Sequence, residues 1–314
     1  MSLARDSAVE PEAAIAEGFE RVGCTGFLHA IEVTGGAEIC VGADEPVVLA
    51  SVFKILVAFE FFDQAHSGVL DPARSLRITP QMRTAGPTGI SMFEDPVEIS
   101  LRDLCRLMIS ISDNTATDVL LAEVTLGRVN ARARACGCPL TVVESDLRTL
   151  IDGIGADLGF VDYAQLLEAQ SGALGPEARE RGHDAVRIDA CAALDPTRTT
   201  RSTPREMSRL LTAIWKDEAA SPQACADLRA LMAQQVSSRL ARALPDQATI
   251  AAKTGSLLGR VRNEVGVITH ADGRAFAVSV FTRAHRPFEG VARIEAEMAA
   301  AAASAIESLR RGQS

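Results

Sequence analysis

Aromatic residues are scarce in this chain of 314 residues, because beyond eleven phenylalanines it has only Trp215 and Tyr163. A surface that stacks nucleic-acid bases needs several aromatic side chains, so their scarcity argues against such a surface. An excess of positive charge is also missing, since 32 basic residues face 41 acidic residues and give a net charge of −9. Nucleic acids and anionic membranes are therefore not expected as partners.

Long apolar runs are missing as well. The apolar stretch Val47–Phe62 is too short to span a bilayer and is interrupted by Lys54 and Glu60. Met1–Glu20 carries several acidic residues and no apolar core of the length that a secretory signal needs. We expect a cytoplasmic protein as the chain is written, and a periplasmic or secreted one if a leader has been removed.

The sequence has no metal-binding pattern. Its cysteines form no paired Cys-x-x-Cys motifs, and five scattered histidines complete no zinc signature. We therefore expect neither a metal nor a cofactor, and we interpret the cysteines as small buried hydrophobic residues. Their odd number leaves at least one thiol unpaired in a monomer, and free thiols favour the cytoplasm. The seven are Cys24, Cys40, Cys105, Cys136, Cys138, Cys191 and Cys225.

Strand-like segments lie at both ends of the chain, and helix-like segments lie between them. One sheet must then combine N-terminal and C-terminal strands, with a helical region inserted between them. The sequence predicts an α/β (α+β) fold of this kind, without internal repeats. Alternating or β-rich patterns predict strands at 26–33, 37–42, 248–254, 263–269 and 275–282.

This order of elements predicts two domains. Residues 1–50 and 210–314 would form a discontinuous sheet domain, and residues 51–209 would form a helical domain. The pattern is weakest within residues 139–200, where a helix at Tyr163–Gln170 and a loop at Gly172–Gly182 are predicted.

Ser51 and Lys54 stand three residues apart at the start of an apolar helix that is predicted over residues 51–65. This spacing places both side chains on one helix face. Serine needs a base within hydrogen-bond reach to act as a nucleophile, and burial makes the charged form of lysine less favourable. The alternative is a surface lysine beside a capping serine, which the apolar flanks Val52, Phe53 and Ile55 disfavour.

A second polar motif, Ser112-Asp113-Asn114, lies between two predicted helices. On its own it would be an ordinary helix cap, because these three residue types are the preferred caps. Combined with the first motif, Ser112 becomes a proton relay near the leaving group. Asn114 becomes a donor to the substrate and to Lys54, and Asp113 caps the following helix.

A third motif, Lys253-Thr254-Gly255, ends a β-like run. On its own it would be a strand-end lysine followed by a glycine turn. In a catalytic site, Lys253 and Thr254 would bind a substrate carboxylate, and Gly255 would let a substrate backbone approach closely. The backbone N–H groups of Ser51 and Ser256 would then form an oxyanion hole.

The three motifs occur in the order that is the signature of serine β-lactamases and penicillin-binding proteins. The chain resembles class A β-lactamases and their close relatives from about Ala37 to Thr282. The resemblance implies an antiparallel five-stranded sheet flanked by helices, an all-helical domain, and an active site in the cleft between them. It also places Arg262 where many class A enzymes carry a carboxylate-binding arginine. Further matching segments are Gly42–Ser51, Thr84–Gly89, Leu101–Leu121, Thr199–Pro204 and Lys253–Ile268.

The resemblance is weakest in the Ω-loop region, at about residues 140–200, where the loop is enlarged. Class A enzymes carry their deacylation base there in a Glu-x-x-Leu-Asn segment, and this chain has Glu144-Ser-Asp-Leu147-Arg148. Glu144 is therefore the candidate general base. The alternatives are that Glu144 is a solvated loop carboxylate beside Asp146, or that another acid such as Asp195 is the base. A disulfide found in some class A members would need a cysteine opposite Cys105, where this chain has Ala58.

The resemblance implies a β-lactamase that opens the lactam amide through an acyl-enzyme on Ser51 and so confers antibiotic resistance. One alternative is a cytoplasmic esterase, amidase or D,D-peptidase-like hydrolase on the same site. Another is a covalent penicillin-binding sensor that deacylates slowly. The expected partner is a small acyl compound with a carboxylate, and the expected state is a monomer.

Overall fold

A computed structural model of the protein describes residues 11–312. Residues 1–10 lie outside the described residues. They include the start of the predicted sheet domain and half of Met1–Glu20, the segment considered as a secretory signal. Within residues 11–312, no helix combines the length and the apolar character needed to cross a membrane.

Strands gather from both ends of the described chain. The main sheet has five strands in the order β2-β1-β9-β8-β7, and every neighbouring pair is antiparallel. The predicted five-stranded antiparallel sheet is therefore confirmed. The strands are β1 Cys24–Glu32, β2 Glu38–Val41, β3 Val47–Val48, β4 Ser75–Ile78, β5 Val97–Ser100, β6 Arg201–Ser202, β7 Thr249–Leu257, β8 Val261–Thr269 and β9 Ala275–Ala284.

Helices cover both faces of this sheet and fill the middle of the chain. The helices of the described residues are α1 Pro11–Arg21, α2 Lys54–His66, α3 Leu101–Ser110, α4 Asn114–Val124, α5 Leu126–Ala135, α6 Leu147–Asp157, α7 Tyr163–Ser171, α8 Pro176–Gly182, α9 Ala185–Ala190, α10 Pro204–Trp215, α11 Pro222–Met232 and α12 Val291–Arg311. Short 3-10 turns occur at Ala50–Phe53, Pro80–Met82, Gly89–Met92, Ala192–Leu194 and Leu240–Ala243.

The two faces of the sheet belong to two hydrophobic clusters. On one face, α1 and α12 pack against the sheet through residues such as Phe19, Leu28, Phe276 and Met298. On the other face, sheet residues such as Phe281 join a larger cluster that includes the helices of the middle region. Since both faces are covered, the strands are buried on both sides.

Helix α2 runs through the centre of the larger cluster. Nine of its thirteen residues are buried, which agrees with the apolar pattern that predicted a buried helix. The helix begins at Lys54, and the 3-10 turn Ala50–Phe53 precedes it. Ser51 and Lys54 therefore lie on two consecutive helical segments rather than on one regular α-helix.

The division into two domains stays a prediction, and the structure bears on where its second boundary would fall. Residue 210 lies inside α10, and this helix packs against β1, β8 and β9. A boundary there would split one continuous helix that belongs to the sheet. A boundary before Thr203, the N-cap of α10, keeps the helix whole.

Residues 139–200 contain more structure than the sequence indicated. The predicted helix at Tyr163–Gln170 is confirmed as α7, whereas the predicted loop at Gly172–Gly182 is wrong because it contains α8. Helices α6 and α9 were also missed. Helices α8 and α9 have only seven and six residues, so hydrophobic periodicity gave little signal, and α6 contains two glycines, which are weak helix formers. Pro176 at the start of α8 and the capping residues Asp146 and Asp184 nevertheless mark where the three helices begin.

Candidate active site

Ser51 lies in the 3-10 turn before α2 and is half-buried. Its neighbour Ala50 has φ 46°, which is unusual for a residue with a side chain and marks local backbone strain. The buried side chain of Asn263 on β8 fixes the approach to this turn. Its Nδ2 donates to the carbonyl oxygens of Val48 (2.8 Å) and Leu49 (3.2 Å).

Lys54, at the start of α2, is fully buried and is held by three acceptors. Its Nζ donates to the Ser112 carbonyl oxygen (2.7 Å), to Ser112 Oγ (3.2 Å) and to Asn114 Oδ1 (2.9 Å). The prediction that Asn114 donates to Lys54 is therefore wrong: its oxygen accepts from Lys54, and its Nδ2 donates to the Ala85 carbonyl oxygen (2.7 Å). Burial lowers the pKa of Lys54 to about 7, against an opposing effect of the Asp113 and Asp118 carboxylates. A neutral amine near neutral pH is a suitable base for a serine hydroxyl.

Ser112 lies between α3 and α4 in the left-handed region, with φ 61°. The predicted capping role of its neighbour is confirmed, since the Asp113 side chain accepts from the Ala116 N–H (3.0 Å) and begins α4. The same carboxylate accepts from the Ile90 N–H (2.6 Å). These bonds hold the loop in a shape that turns the Ser112 hydroxyl toward the two lysines.

Lys253 approaches the same hydroxyl from β7. Its Nζ donates to Ser112 Oγ (3.1 Å) and to the Thr254 carbonyl oxygen (2.9 Å). Burial lowers the pKa of Lys253 well below its usual value, and the charges of Lys54 and Arg239 lower it further. Ser112 Oγ thus lies between two amines, which is the arrangement expected of a proton relay.

Gly255 lies against the backbone that carries Ser51. A Cβ on this residue would stand 2.9 Å from the Leu49 carbonyl oxygen and 3.2 Å from the Ser51 amide nitrogen. The space that we expected Gly255 to leave for a substrate is therefore used by the chain itself. The oxyanion hole formed by the Ser51 and Ser256 amides stays a prediction.

Two arginines meet at Ser256, one residue past the third motif. Arg262 Nη1 donates to Ser256 Oγ (2.8 Å), and so does Arg239 Nη2 (2.7 Å). Arg239 also pairs with Glu295 (2.9 Å), whereas Arg262 forms no ion pair within residues 11–312. Sequence reasoning found Arg262 and missed Arg239, because Arg239 lies in a loop outside the motifs.

Thr254 lies beside Gln235, a second residue that the sequence did not indicate. Gln235 Oε1 accepts from the Thr254 N–H (2.8 Å) and lies 3.5 Å from Thr254 Oγ1. Strand β7 is the outermost strand of the sheet on this side, so this amide side chain covers part of its open edge.

A cleft of about 380 Å³ joins these groups. Ser51, Ser112, Asn114, Thr254 and Ser256 line it, so five of the nine predicted site residues share one cavity. The lysines lie in contact with Ser112 at this cavity.

Strained backbone is concentrated around the cleft. Four of the seven non-glycine residues with positive φ in the described chain line it, namely Ala50, Ser112, Leu258 and Phe288.

Glu144 is the predicted site residue that the structure does not bring into the cleft. Its side chain is half exposed and pairs with Arg201 (3.1 Å). Asp195, the other acid that we considered, binds Thr197 instead of lining the cleft. Within residues 11–312, none of the residues that line the cleft is an aspartate or a glutamate.

An apolar wall stands where a general base was expected. Helix α6 presents Leu147, Leu150 and Ile151 to the cleft. The buried carboxylate of Asp118 fixes the start of this helix, because it accepts from the Leu147 N–H (2.7 Å) and the Arg148 N–H (2.9 Å). This anchoring, which no motif signalled, decides that a leucine rather than Glu144 faces the site.

One group of candidate metal ligands lies elsewhere in the described residues, on β1 and β2. It consists of His29, Glu38 and Cys40. The guanidinium of Arg205 already stands among them and contacts all three side chains. A cation thus occupies the centre of this group, which the cleft does not reach.

Comparisons with known proteins agree with this geometry. The family model described as "Beta-lactamase enzyme family" matches residues 10–308. The β-lactamase regulatory protein BlaB of Streptomyces cacaoi is 32% identical over 304 residues, which are 92% of this chain and 94% of BlaB.

Solved structures show the same fold. A β-lactamase from Sphaerobacter thermophilus superimposes with a TM-score of 0.73 at 23% identity, over 95% of both chains. A variant of PBP-A, in an acyl-enzyme complex with penicillin G, superimposes with a TM-score of 0.69 at 19% identity, over 93% of this chain and 95% of its own. The predicted β-lactamase-like fold is confirmed, and the chain belongs to the β-lactamase enzyme family.

Proposed function

We propose that the protein reacts covalently with β-lactams through Ser51 and releases the acyl group slowly, so that it acts as a penicillin-binding sensor. The observation that carries this proposal is the composition of the cleft. The groups needed for acylation meet there, and no described carboxylate lines it to activate a water. This is the slow-deacylation alternative that the sequence left open, and we propose it in place of rapid hydrolysis with Glu144 as the base.

The acylation step uses the two lysines and Ser112. Once neutral, Lys54 Nζ donates two hydrogen bonds instead of three, and its lone pair accepts the proton of Ser51 Oγ while that oxygen bonds to the lactam carbonyl carbon. Ser51 Oγ has no hydrogen-bond partner in the described residues, so the hydroxyl is free to turn toward Lys54 Nζ. The lactam C–N bond then breaks, and Ser112 Oγ gives its proton to the leaving nitrogen and regains one from Lys54 Nζ.

The substrate carboxylate would bind at the opposite end of the reacting centre. Arg262 has no acidic partner in residues 11–312, and burial together with the charge of Arg239 lowers its pKa. An anionic ligand would relieve this repulsion. Thr254 and Ser256 line the cleft beside it and supply hydroxyl donors.

Release of the acyl group needs a water and a base that the cleft does not offer. Leu147, Leu150 and Ile151 supply no hydrogen-bond acceptor through their side chains. Support for a sensor role also comes from BlaB, which is named a regulatory protein. Support for a covalent intermediate on this fold comes from the PBP-A variant in its penicillin G acyl-enzyme complex.

Intact-mass measurement tests this proposal directly. We expect benzylpenicillin to add one ligand mass to the protein, with a small stoichiometric burst and little turnover of a chromogenic cephalosporin. Ser51→Ala should abolish the adduct, whereas the matched change Ser145→Ala, at a loop serine outside the cleft lining, should leave it intact.

The outcomes separate the candidate functions. Fast, sustained turnover without an accumulated adduct would establish a hydrolytic β-lactamase, which the family match also favours. Hydrolysis of simple esters without any reaction with β-lactams would instead establish the esterase-like alternative.

A further inference from the structure

We infer that the site selects acyl compounds whose side chain is apolar and uncharged, and that residues 147–190 impose this selection. We call these residues the inserted segment. The inference rests on the proposed acylation of Ser51 and concerns the part of the ligand that does not react.

The inserted segment builds one wall of the cleft with two helices. Leu147, Leu150 and Ile151 are spaced three and four residues apart on α6, so they share one helix face. Tyr163 and Gln170 are seven residues apart on α7 and line the same cleft. The wall is therefore mainly hydrocarbon and aromatic, with a phenol and an amide as its polar groups.

The opposite wall is apolar as well, and the inserted segment touches it. Leu257, Leu258 and Phe288 line the cleft from the sheet side. The ring of His183, the C-cap of α8, contacts the Phe288 ring at a centroid distance of 5.1 Å. The Phe288 N–H donates to the Gly259 carbonyl oxygen (3.1 Å), which holds this phenylalanine beside the turn between β7 and β8.

An ion pair fastens the segment across the same turn. Asp189 at the end of α9 accepts a hydrogen bond from the side chain of Arg260, which is only 5% exposed. Asp189 thus attaches the segment to the β7–β8 turn directly, and His183 attaches it through Phe288, which is bonded to that turn. The wall of the segment therefore stays close to the reacting centre.

Charge is distributed unevenly around the cleft. None of its described lining residues carries a formal charge. The basic side chains of Lys54, Lys253 and Arg262 lie where the reacting carbonyl and the ligand carboxylate would bind. A charged acyl side chain would lose hydration against the inserted segment without gaining an ionic partner. A neutral aryl or alkyl side chain would instead bury apolar surface there.

Three penicillins that share one nucleus and one phenyl group provide the test. Benzylpenicillin has a neutral side chain, ampicillin adds an ammonium group next to the phenyl ring, and carbenicillin adds a carboxylate at the same carbon. We expect the second-order rate constant of Ser51 acylation to be about tenfold or more higher for benzylpenicillin than for either charged compound, as expected for a charge that loses its hydration without a partner.

A charge introduced into the wall should change this order predictably. Leu150→Lys should raise the ratio of the carbenicillin rate to the benzylpenicillin rate about tenfold. It should lower the ratio of the ampicillin rate to the benzylpenicillin rate. Leu174→Lys makes the same change at a partly exposed leucine of the inserted segment outside the cleft, and should leave both ratios unchanged. Because each ratio is measured on one protein, a partial loss of folded material cancels.

The outcomes distinguish this inference from the proposed function. Equal acylation rates for the three penicillins, or equal effects of Leu150→Lys and Leu174→Lys on the ratios, would overturn the side-chain inference alone. Failure of all three compounds to label Ser51 would overturn the proposed function and this inference together.

Discussion

Lys54 shows how burial can prepare a single residue for chemistry. The chain has three lysines, and two of them, Lys54 and Lys253, are fully buried and share Ser112 Oγ. Both cannot be charged without strong repulsion in a site of low polarity. The third, Lys216, is exposed and pairs with Glu218 (3.4 Å), so it offers a natural reference.

The acylation rate should depend on pH through Lys54. The base must be neutral, and the lowered pKa of about 7 means that its neutral fraction falls about tenfold for each unit below pH 7. We expect the rate constant to rise with pH up to about 7 and to level off above it. Stopped-flow acylation between pH 5.5 and 9 measures this, and a flat profile would exclude Lys54 as the base.

Replacing Lys54 should remove acylation without requiring any change in ligand binding. We expect Lys54→Met to slow acylation by roughly 10²–10⁴-fold, the usual contribution of a general base. Lys216→Met is the matched control and should react at the original rate. Equal rates for both variants would show that another group takes the Ser51 proton.

Leu147 occupies a position in the cleft from which a carboxylate could act as the missing general base. A glutamate there would stand in the cleft at the start of α6, where a helix N-terminus favours negative charge. We expect Leu147→Glu to shorten the acyl-enzyme lifetime by about 10²-fold or more. Time-resolved mass spectrometry measures this, and Leu147→Gln, similar in size but neutral, should keep the long lifetime. Similar lifetimes for both variants would contradict the role given to the missing carboxylate.

At the residue scale, sequence spacing anticipated contacts but not the general base. Ser51, Lys54, Ser112 and Lys253 were expected together, and the structure places the last three in direct hydrogen-bond contact. Glu144 was expected there because a short motif was aligned. The residue that faces the cleft is instead set by Asp118 of α4, which binds the first two backbone N–H groups of α6; local sequence does not encode this tertiary contact.

At the scale of elements, long periodic helices were predictable and the inserted segment was not. Helix α4, at Asn114–Val124, is one of the two helices that the sequence predicts on either side of the Ser112-Asp113-Asn114 motif. In contrast, α8 and α9 have seven and six residues, too few turns to show a periodic apolar face. The contacts of this region with the sheet side of the cleft come from Asp189, which binds Arg260, and from His183, which packs on Phe288; neither residue carries a sequence signal of its own.

The ion pair between Asp189 and Arg260 should control how firmly the inserted segment is held. Asp189→Ala leaves the buried guanidinium of Arg260 without its ionic partner. We expect faster amide exchange in α7–α9 and a weaker preference for benzylpenicillin over carbenicillin. Hydrogen exchange followed by mass spectrometry measures the first effect, with Glu177→Ala in α8 as a control. Unchanged exchange would show that other contacts hold the segment.

At the scale of the whole molecule, the sheet could be predicted because its strands have clear patterns at both chain ends. Their order could not, since antiparallel pairing of β1 with β9 joins residues that are far apart in sequence. The two hydrophobic clusters explain why strands from both chain ends form one sheet. A sheet buried on both faces needs α1 and α12 on one side and the middle helices on the other.

The cysteines provide a test of packing over the whole molecule. All seven are free, and five are buried, which confirms for those five the expectation of small buried hydrophobic residues. Burial raises the pKa of Cys24 and Cys138 to about 12 and that of Cys191 to about 11, so few thiolates form near neutral pH.

The native protein should therefore react slowly with a thiol reagent such as an aromatic disulfide at pH 8. We expect the half-buried Cys40 and Cys136 to react first, and all seven thiols to react at once in denaturant. Peptide mapping after graded labelling identifies the order, and Cys40→Ser with Cys136→Ser should remove the early phase. Because the other five thiols become accessible only when packing opens, their labelling rate reports opening of the two hydrophobic clusters. Rapid labelling of Cys24 or Cys105 in the native protein would contradict this packing.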